Sequence, residues 1–283
     1  MLRLVSFLRW PLALIAGLAL FAGCATLDTK QREWIFQPSS GQTSWPPASA
    51  EGMQDVWIEH HSAESGSTVK LHALWLPHER ADAPVLLYLH GARRNIWGST
   101  FRMRNMHELG FAVLAVDYRG FGQSTPELPS EAGVLEDARA AWDWLAREQP
   151  KRERYIFGHS LGSAVAVHLA AEVDDASGLI VEGSFPSIPA LVETSTWGWL
   201  PVSVLITQRF DASSRIGKVS VPVLVVHGSD DQLIRPDLGR ALYERAPTPK
   251  RFVLVDGGSH HNTNALGQAQ YGEALRELFG PAL

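Results

Sequence analysis

The stretch Tyr155-Ile156-Phe157-Gly158-His159-Ser160-Leu161-Gly162-Ser163-Ala164-Val165-Ala166 decides how this chain folds. Three apolar residues run into a G-x-S-x-G string, and small and apolar residues continue at helical spacing beyond it. The string predicts a strand, a sharp turn and a helix. Such a turn is so tight that side chains two positions to either side of the serine clash, which accounts for Gly158 and Gly162. Ser160 is then projected above the edge of a sheet at the start of a helix.

Working outward, apolar runs of the same kind recur at Val85–Leu89, Phe111–Val116, Leu179–Val181, Val223–Val226 and Phe252–Val255. Runs that are apolar at every position suit strands covered on both faces, as in a parallel sheet. Between them lie helical patterns at 131–148, 162–173, 236–246 and 265–279. Val56–Glu59 and Thr68–Leu76 flank a Ser-Gly-Ser turn and read as a hairpin. The alternation predicts an α/β fold with a mostly parallel central sheet and helices on both faces. Ligand sites in such sheets lie at the carboxyl ends of the strands.

A serine hydroxyl needs an adjacent base that is itself oriented by a carboxylate. In this architecture the expected chain order is serine, acid, histidine. Val223–Val226 leads into His227-Gly228-Ser229-Asp230-Asp231, and Phe252–Val255 into Asp256-Gly257-Gly258-Ser259-His260-His261. Asp231 and His260 are the expected partners of Ser160, with Asp230 the alternative acid, Glu182 a further one, and His261 the alternative base. The backbone N–H groups of Leu161 and Ala92 are the expected donors to a developing oxyanion. His90, His159 and His227 read as hydrogen-bonded turn residues. His60, His61, His72 and His78 read as solvated hairpin positions, and no metal site is expected.

Composition bounds the remaining classes. The 283 residues carry a net charge of −5 with no basic block, which argues against a nucleic-acid binder. One cysteine excludes an intramolecular disulfide framework and a multi-thiolate zinc site. No G-x-x-x-x-G-K-[ST] string occurs and Gly120 and Gly122 lack the third glycine of a dinucleotide loop, so no cofactor is expected. Arg3 and Arg9 precede an apolar run from Leu12 to Phe21, then Ala22, Gly23 and Cys24. This start resembles a bacterial lipoprotein signal, with Phe21 where that signal usually has Leu. The resemblance implies cleavage after residue 23, acylation of Cys24 and anchoring to a membrane of the bacterial envelope. Ala25, not an aspartate, points to the outer membrane. A signal anchor or plain secretion are the alternatives. Residues 24–54 are expected to be a tether that ends by laying Trp34, Ile35 and Phe36 against a domain over 55–283.

With these residues assembled, the chain resembles the α/β-hydrolases over about residues 55–280. It is similar to a small-cap branch that includes eukaryotic protein depalmitoylases and bacterial proteins labelled serine aminopeptidases. The resemblance rests on Tyr88-Leu89-His90-Gly91, Asp117-Tyr118-Arg119-Gly120-Phe121-Gly122-Gln123-Ser124, Ser130-Glu131-Ala132-Gly133, Gly158 to Gly162, and His227-Gly228 with Asp231. The chain departs from the branch at Ala92, at Ser163 and in the doubled His260-His261. The resemblance implies cleavage of an acyl ester or thioester, palmitate among the acyl groups. A cap is expected over 184–214, with Trp197, Trp199 and Leu200 as substrate-binding residues in an apolar wall. An exopeptidase would need a carboxylate for the substrate amine, with Glu182 and Glu193 as candidates. A catalytically silent binding module on the envelope is the rival from another class.

Overall fold

The computed structural model describes residues 23, 25–39, 47–194, 199 and 201–280. Eight strands form one sheet: β1 (Gln54–His61), β2 (Thr68–Leu76), β3 (Val85–Leu89), β4 (Ala112–Val116), β5 (Arg154–His159), β6 (Gly178–Glu182), β7 (Val223–Gly228) and β8 (Lys250–Val255). Their spatial order is β1-β2-β4-β3-β5-β6-β7-β8. β1 pairs antiparallel with β2, and β2 antiparallel with β4; every later pairing is parallel. This is the mostly parallel α/β sheet that the alternating pattern predicts, in the α/β-hydrolase form that the resemblance implies.

All residues of β3, β4, β6 and β7 are buried, because helices cover both faces of the sheet. Alternate residues feed opposite layers. Leu87 and Leu89 join one apolar cluster with Val165 and Trp142, while Leu86 and Tyr88 join the other with Met103 and Tyr271. The crossover helices are α2 (Thr100–Glu108), α3 (Glu131–Glu148), α4 (Leu161–Ala170), α6 (Pro236–Arg245) and α8 (Gln268–Phe279), with α7 (Thr263–Leu266) before the last. Ser130 caps α3 by accepting from the Gly133 N–H at 2.9 Å.

The Asp117–Ser124 loop is fastened by polar contacts. The fully buried Arg119 donates to Asp137 of α3 through Nη2 at 2.8 Å and Nε at 3.1 Å. Asp117 accepts from the Ile96 N–H at 2.8 Å, and Ser124 Oγ donates to the Asp117 carbonyl at 2.7 Å.

The structure departs from expectation near the N-terminus. Residues 25–36, expected within a tether, form a helix, α1. Phe36 is buried edge-on against Phe210 at 5.7 Å and Ile35 packs on the core, but Trp34 is 65% exposed instead of lying against the domain. The inward face of α1 is mostly polar, so hydrophobic periodicity does not reveal it. Asp28 accepts from Thr207 Oγ1 at 2.7 Å, Gln31 Nε2 donates to the Leu205 carbonyl at 2.9 Å, and Arg32 Nε to the Pro129 carbonyl at 2.9 Å. Residues 1–22 of the signal-like segment and Cys24 lie outside the described residues.

Two hairpin histidines also differ from the solvated reading. His72 is fully buried and its Nε2–H donates to Asp55 Oδ1 at 2.7 Å between the rings of Trp57 and Trp97. His60 Nε2 donates to Asp137 Oδ1 at 3.0 Å. Asp137 lies on α3, which a reading of the hairpin alone cannot supply, and Asp55 is on the neighbouring strand β1. His78 is half-buried and stacks on His107 at 4.7 Å, and Glu79 lies beside them. Nδ1 of His78 accepts from the Arg80 N–H at 3.1 Å and Nε2 of His107 donates to the Pro77 carbonyl at 3.0 Å, so these nitrogens are already committed.

Candidate active site

β5 ends at His159, and the chain turns through Ser160 directly into α4. Ser160 takes φ 55° and ψ −124°, a left-handed conformation rare for a residue with a Cβ. The turn is held by close approach. A Cβ on Gly158 would stand 2.2 Å from the Gly162 carbonyl oxygen, and one on Gly162 would stand 2.1 Å from that of Leu89. Ser163, where the related branch often has glycine, donates its hydroxyl to the Ser160 carbonyl at 2.6 Å and so braces the same turn.

The loops after β7 and β8 bring the other two groups to this serine. Ser160 Oγ lies 3.0 Å from His260 Nε2, and His260 Nδ1 lies 2.7 Å from Asp231 Oδ2. A carboxylate only accepts, so Nδ1 carries the ring proton and Nε2 presents a lone pair to the serine hydroxyl. Oδ1 of Asp231 accepts from the Leu233 and Ile234 N–H groups at 2.9 and 2.8 Å. Burial pushes the Asp231 carboxyl up, but hydrogen bonds from His227, His260 and the Ile234 backbone outweigh it and hold the group well below the usual carboxylate range. Asp230 is exposed and accepts from Ser229 Oγ at 2.9 Å, and His261 is exposed beside the His260 ring. The spacing that favours Asp231 and His260 therefore selects the two that meet.

Neither the Leu161 nor the Ala92 backbone N–H has an acceptor among the described residues. Both residues line the same pocket as Ser160. The Ala92 loop is tied to α1, because the next N–H, that of Arg93, donates to the Phe36 carbonyl at 2.9 Å. Two backbone donors beside a serine–histidine pair are suited to hold an oxygen as it becomes negative.

Glu182 has a different place from either role considered for it. It is 1% exposed, accepts from Arg102 Nε at 3.0 Å and hydrogen-bonds the Tyr271 hydroxyl. Arg102, also buried, donates through Nη2 to His159 Nε2 at 3.0 Å and to the His261 carbonyl at 3.2 Å. Burial, then the positive charge of Arg102, hold His159 well below the usual histidine range, so its ring is neutral. Sequence reasoning missed Arg102. A cation on the core-facing side of α2, beside Met103 and Met106, reads as a break in the apolar pattern and not as a functional group.

Above Ser160 opens a pocket of about 880 Å³, within the range of small-molecule sites. Its walls are mainly apolar, with Phe185, Ile188, Leu191 and Val192 from the cap, on and before α5 (Ile188–Glu193), and Leu27 and Ile35 from α1. No aspartate or glutamate lines it among the described residues. Glu193 is exposed and outside it. Of the three expected substrate-binding residues, Trp197 and Leu200 lie outside the described residues. Trp199 is 77% exposed and is not part of the wall. The cap turns its α5 side chains inward at i, i+3 and i+4 spacing and leaves Trp199 beyond the helix on the solvent side.

Solved structures share the fold. An esterase of Pyrococcus furiosus superposes with a TM-score of 0.65 over 86% of this chain and 97% of its own, at 20% identity. A cold-adapted esterase from an Arctic intertidal metagenomic library gives 0.58 over 81% and 95%, at 18% identity. An uncharacterised protein of Mycobacterium tuberculosis is 32% identical over 275 residues, 95% of this chain and 94% of its own. The lysophosphatidylserine lipase ABHD12 of Danio rerio is 31% identical over 186 residues, 59% of this chain; the matched part is 48% of that longer protein. A family model described as "Serine aminopeptidase, S33" matches residues 80–210 and 189–265. The chain therefore belongs to this family of α/β-hydrolase serine hydrolases.

Proposed function

We propose that the protein hydrolyses carboxylic esters or thioesters of acyl chains through an acyl-enzyme. The observation that carries this is the Asp231–His260–Ser160 relay at the floor of an apolar pocket without a carboxylate. Ser160 Oγ bonds to the carbonyl carbon as its proton passes to His260 Nε2. Asp231, held as a carboxylate, stabilises the imidazolium and fixes its orientation. The N–H groups of Leu161 and Ala92 bind the oxyanion. When the tetrahedral intermediate collapses, the bond to the leaving oxygen or sulfur breaks and that atom takes the proton. Water then repeats the sequence on the acyl-Ser160 ester.

The relatives support an acyl substrate, since the ABHD12 proteins bear the name of lipases and the structural neighbours that of esterases. An aminopeptidase would hold the substrate's ammonium with a buried carboxylate. Of the two carboxylates considered for this role, Glu182 is already paired with Arg102 and Glu193 is exposed outside the pocket. The lipoprotein-like start supports acylation of Cys24 and anchoring at the bacterial envelope, which intact mass of the purified chain tests.

The decisive measurement is labelling with a fluorophosphonate probe, wild type against Ser160→Ala, followed by acyl esters of graded length and aminoacyl amides. Labelling of the wild type alone and ester turnover at least about 100-fold above amide turnover are expected. A folded wild type that takes no label overturns the reading and brings the silent binding module forward.

A further inference from the structure

Nine large apolar side chains are exposed among the described residues. Four of them, Leu27, Trp34, Leu205 and Leu233, stand in the walls of the pocket above Ser160. Two more, Trp199 at 77% and Val204 at 76% exposure, lie on the cap outside the pocket. Scattered exposed apolar residues are ordinary, but a concentration around one opening marks an interaction surface.

The chain itself indicates what covers this surface. Residues 25–36 of α1 follow closely on the apolar run from Leu12 to Phe21 and the small residues before Cys24. One side of α1 is stitched to the domain by Asp28, Gln31 and Arg32. Leu27 and Trp34, two turns apart, are left exposed at the opening. At about 1.5 Å per residue, α1 is about 18 Å long, so whatever holds residue 24 in a membrane keeps the opening within that distance of it. Tryptophan at such a border suits a bilayer interface, where its ring is apolar on one side and its N–H reaches water.

We infer that the mouth of the pocket seats on a lipid bilayer through Leu27, Trp34, Trp199, Val204 and Leu205, and that the acyl substrate enters from the bilayer. The entry route rests on the acyl-ester reading above; the seating does not. Both are tested with the full chain reconstituted in phosphatidylcholine vesicles. Tryptophan emission is read with and without lipids brominated near the headgroup, in wild type and Trp199→Ser. Turnover is read in wild type and in Trp199→Glu/Val204→Glu, on a long-chain ester carried in the vesicles and on a soluble butyrate ester. Both substituted residues lie outside the pocket wall, so folding and soluble turnover are expected to stay within twofold. The expected results are bromolipid quenching that is reduced in Trp199→Ser, and at least a fivefold loss on the vesicle ester in the Glu variant.

Unquenched Trp199 overturns the seating. If a dimer broken by Trp199→Glu accompanies it, the surface belongs to a second copy of the chain. Equal losses on both esters, or no loss on either, overturn the entry route. A quenched Trp199 in a protein that turns over neither ester leaves the seating standing and removes the acyl-ester reading and the entry route with it.

Discussion

Ser160, Asp231 and His260 stand at the ends of β5, β7 and β8 with their polar atoms committed to one another and to the backbone. The wall above them, α1 and the cap segment, is mainly apolar and partly exposed, and its two parts are joined to each other by the side-chain hydrogen bonds of Gln31 with Leu205 and of Asp28 with Thr207. The first region owes its geometry to close-packed strands, β7 buried at every residue and β5 at all but its first, so small displacements there are costly. The second follows a looser rule, in which the character of the surface matters more than the position of any one atom. Chemistry that needs placement within tenths of an ångström is thus carried by the sheet, and a variable acyl chain meets a wall that tolerates substitution.

The sharpest way to break this comparison is at the acid. Asp231→Asn keeps the shape of the loop but removes the charge that stabilises the imidazolium and fixes the His260 tautomer. Ester turnover is expected to fall by about 10⁴-fold, while Asp230→Asn, one residue away and exposed, stays within about twofold. Steady-state kinetics on a soluble ester checks both. Equal losses would mean that the loop as a whole, and not the Asp231–His260 contact, supports turnover.

The region behind the site comes next. Arg102→Met leaves Glu182 as an uncompensated buried charge, which costs about 3–5 kcal/mol of stability by urea unfolding. It also frees the His261 carbonyl and His159 beside Ser160. A decrease in kcat of about 10–100-fold at unchanged KM is expected if Arg102 positions the His260 loop. Replacing both partners, Arg102→Met with Glu182→Gln, is expected to restore part of the stability without restoring kcat, which separates a positioning role from a merely structural one.

On the wall, Phe36→Ala removes a fully buried ring from its contact with Phe210. The expected loss is about 3–5 kcal/mol. The Phe36 carbonyl also holds the Arg93 N–H next to Ala92, so loosening α1 is expected to lower ester turnover as well. Trp34→Ser, two residues earlier and exposed, is expected to change stability by less than about 0.5 kcal/mol.

What was legible in the sequence divides along the same line. The strands declared themselves because each buried run is apolar at every position, and α3 because its helical period covers 131–148, the residues it occupies. The serine turn and the loops after β7 and β8 were legible because tight turns at strand ends demand particular residues at fixed spacing. α1 and α2 were not, since each turns polar or charged side chains inward: Asp28, Gln31 and Arg32 in one, Arg102 in the other. Hydrophobic periodicity detects burial by water exclusion and is blind to burial by hydrogen bonding. Trp199 shows the converse failure. Its size and place in the cap suggested a pocket wall, but which way a side chain turns is decided by neighbours far away in the chain.

The smallest effect worth measuring concerns His159, which by pattern alone resembles any other turn histidine. Its ring is buried against Arg102 and is held neutral, with its proton affinity well below the ordinary 6.5. Below pH 6.5 the unfolded chain takes up a proton on this ring that the folded protein refuses. Stability therefore falls as pH drops, by at most about 1.4 kcal/mol per pH unit from this group. His90 and His168, likewise lowered chiefly by burial, act in the same direction; His72, raised by Asp117 and Asp55 against its burial, acts in the opposite one. His159→Gln removes one titrating site without removing a hydrogen-bonding side chain. Urea unfolding between pH 7 and pH 5 is expected to show a shallower slope in the variant than in the wild type. Asp231 adds nothing to that difference, because a carboxyl held below its usual range loses its contribution only as pH falls beneath the unfolded value of 3.8. An unchanged slope would place a protonated His159 in the folded protein, and with it a second positive charge against Arg102 that the Glu182 carboxylate would have to balance.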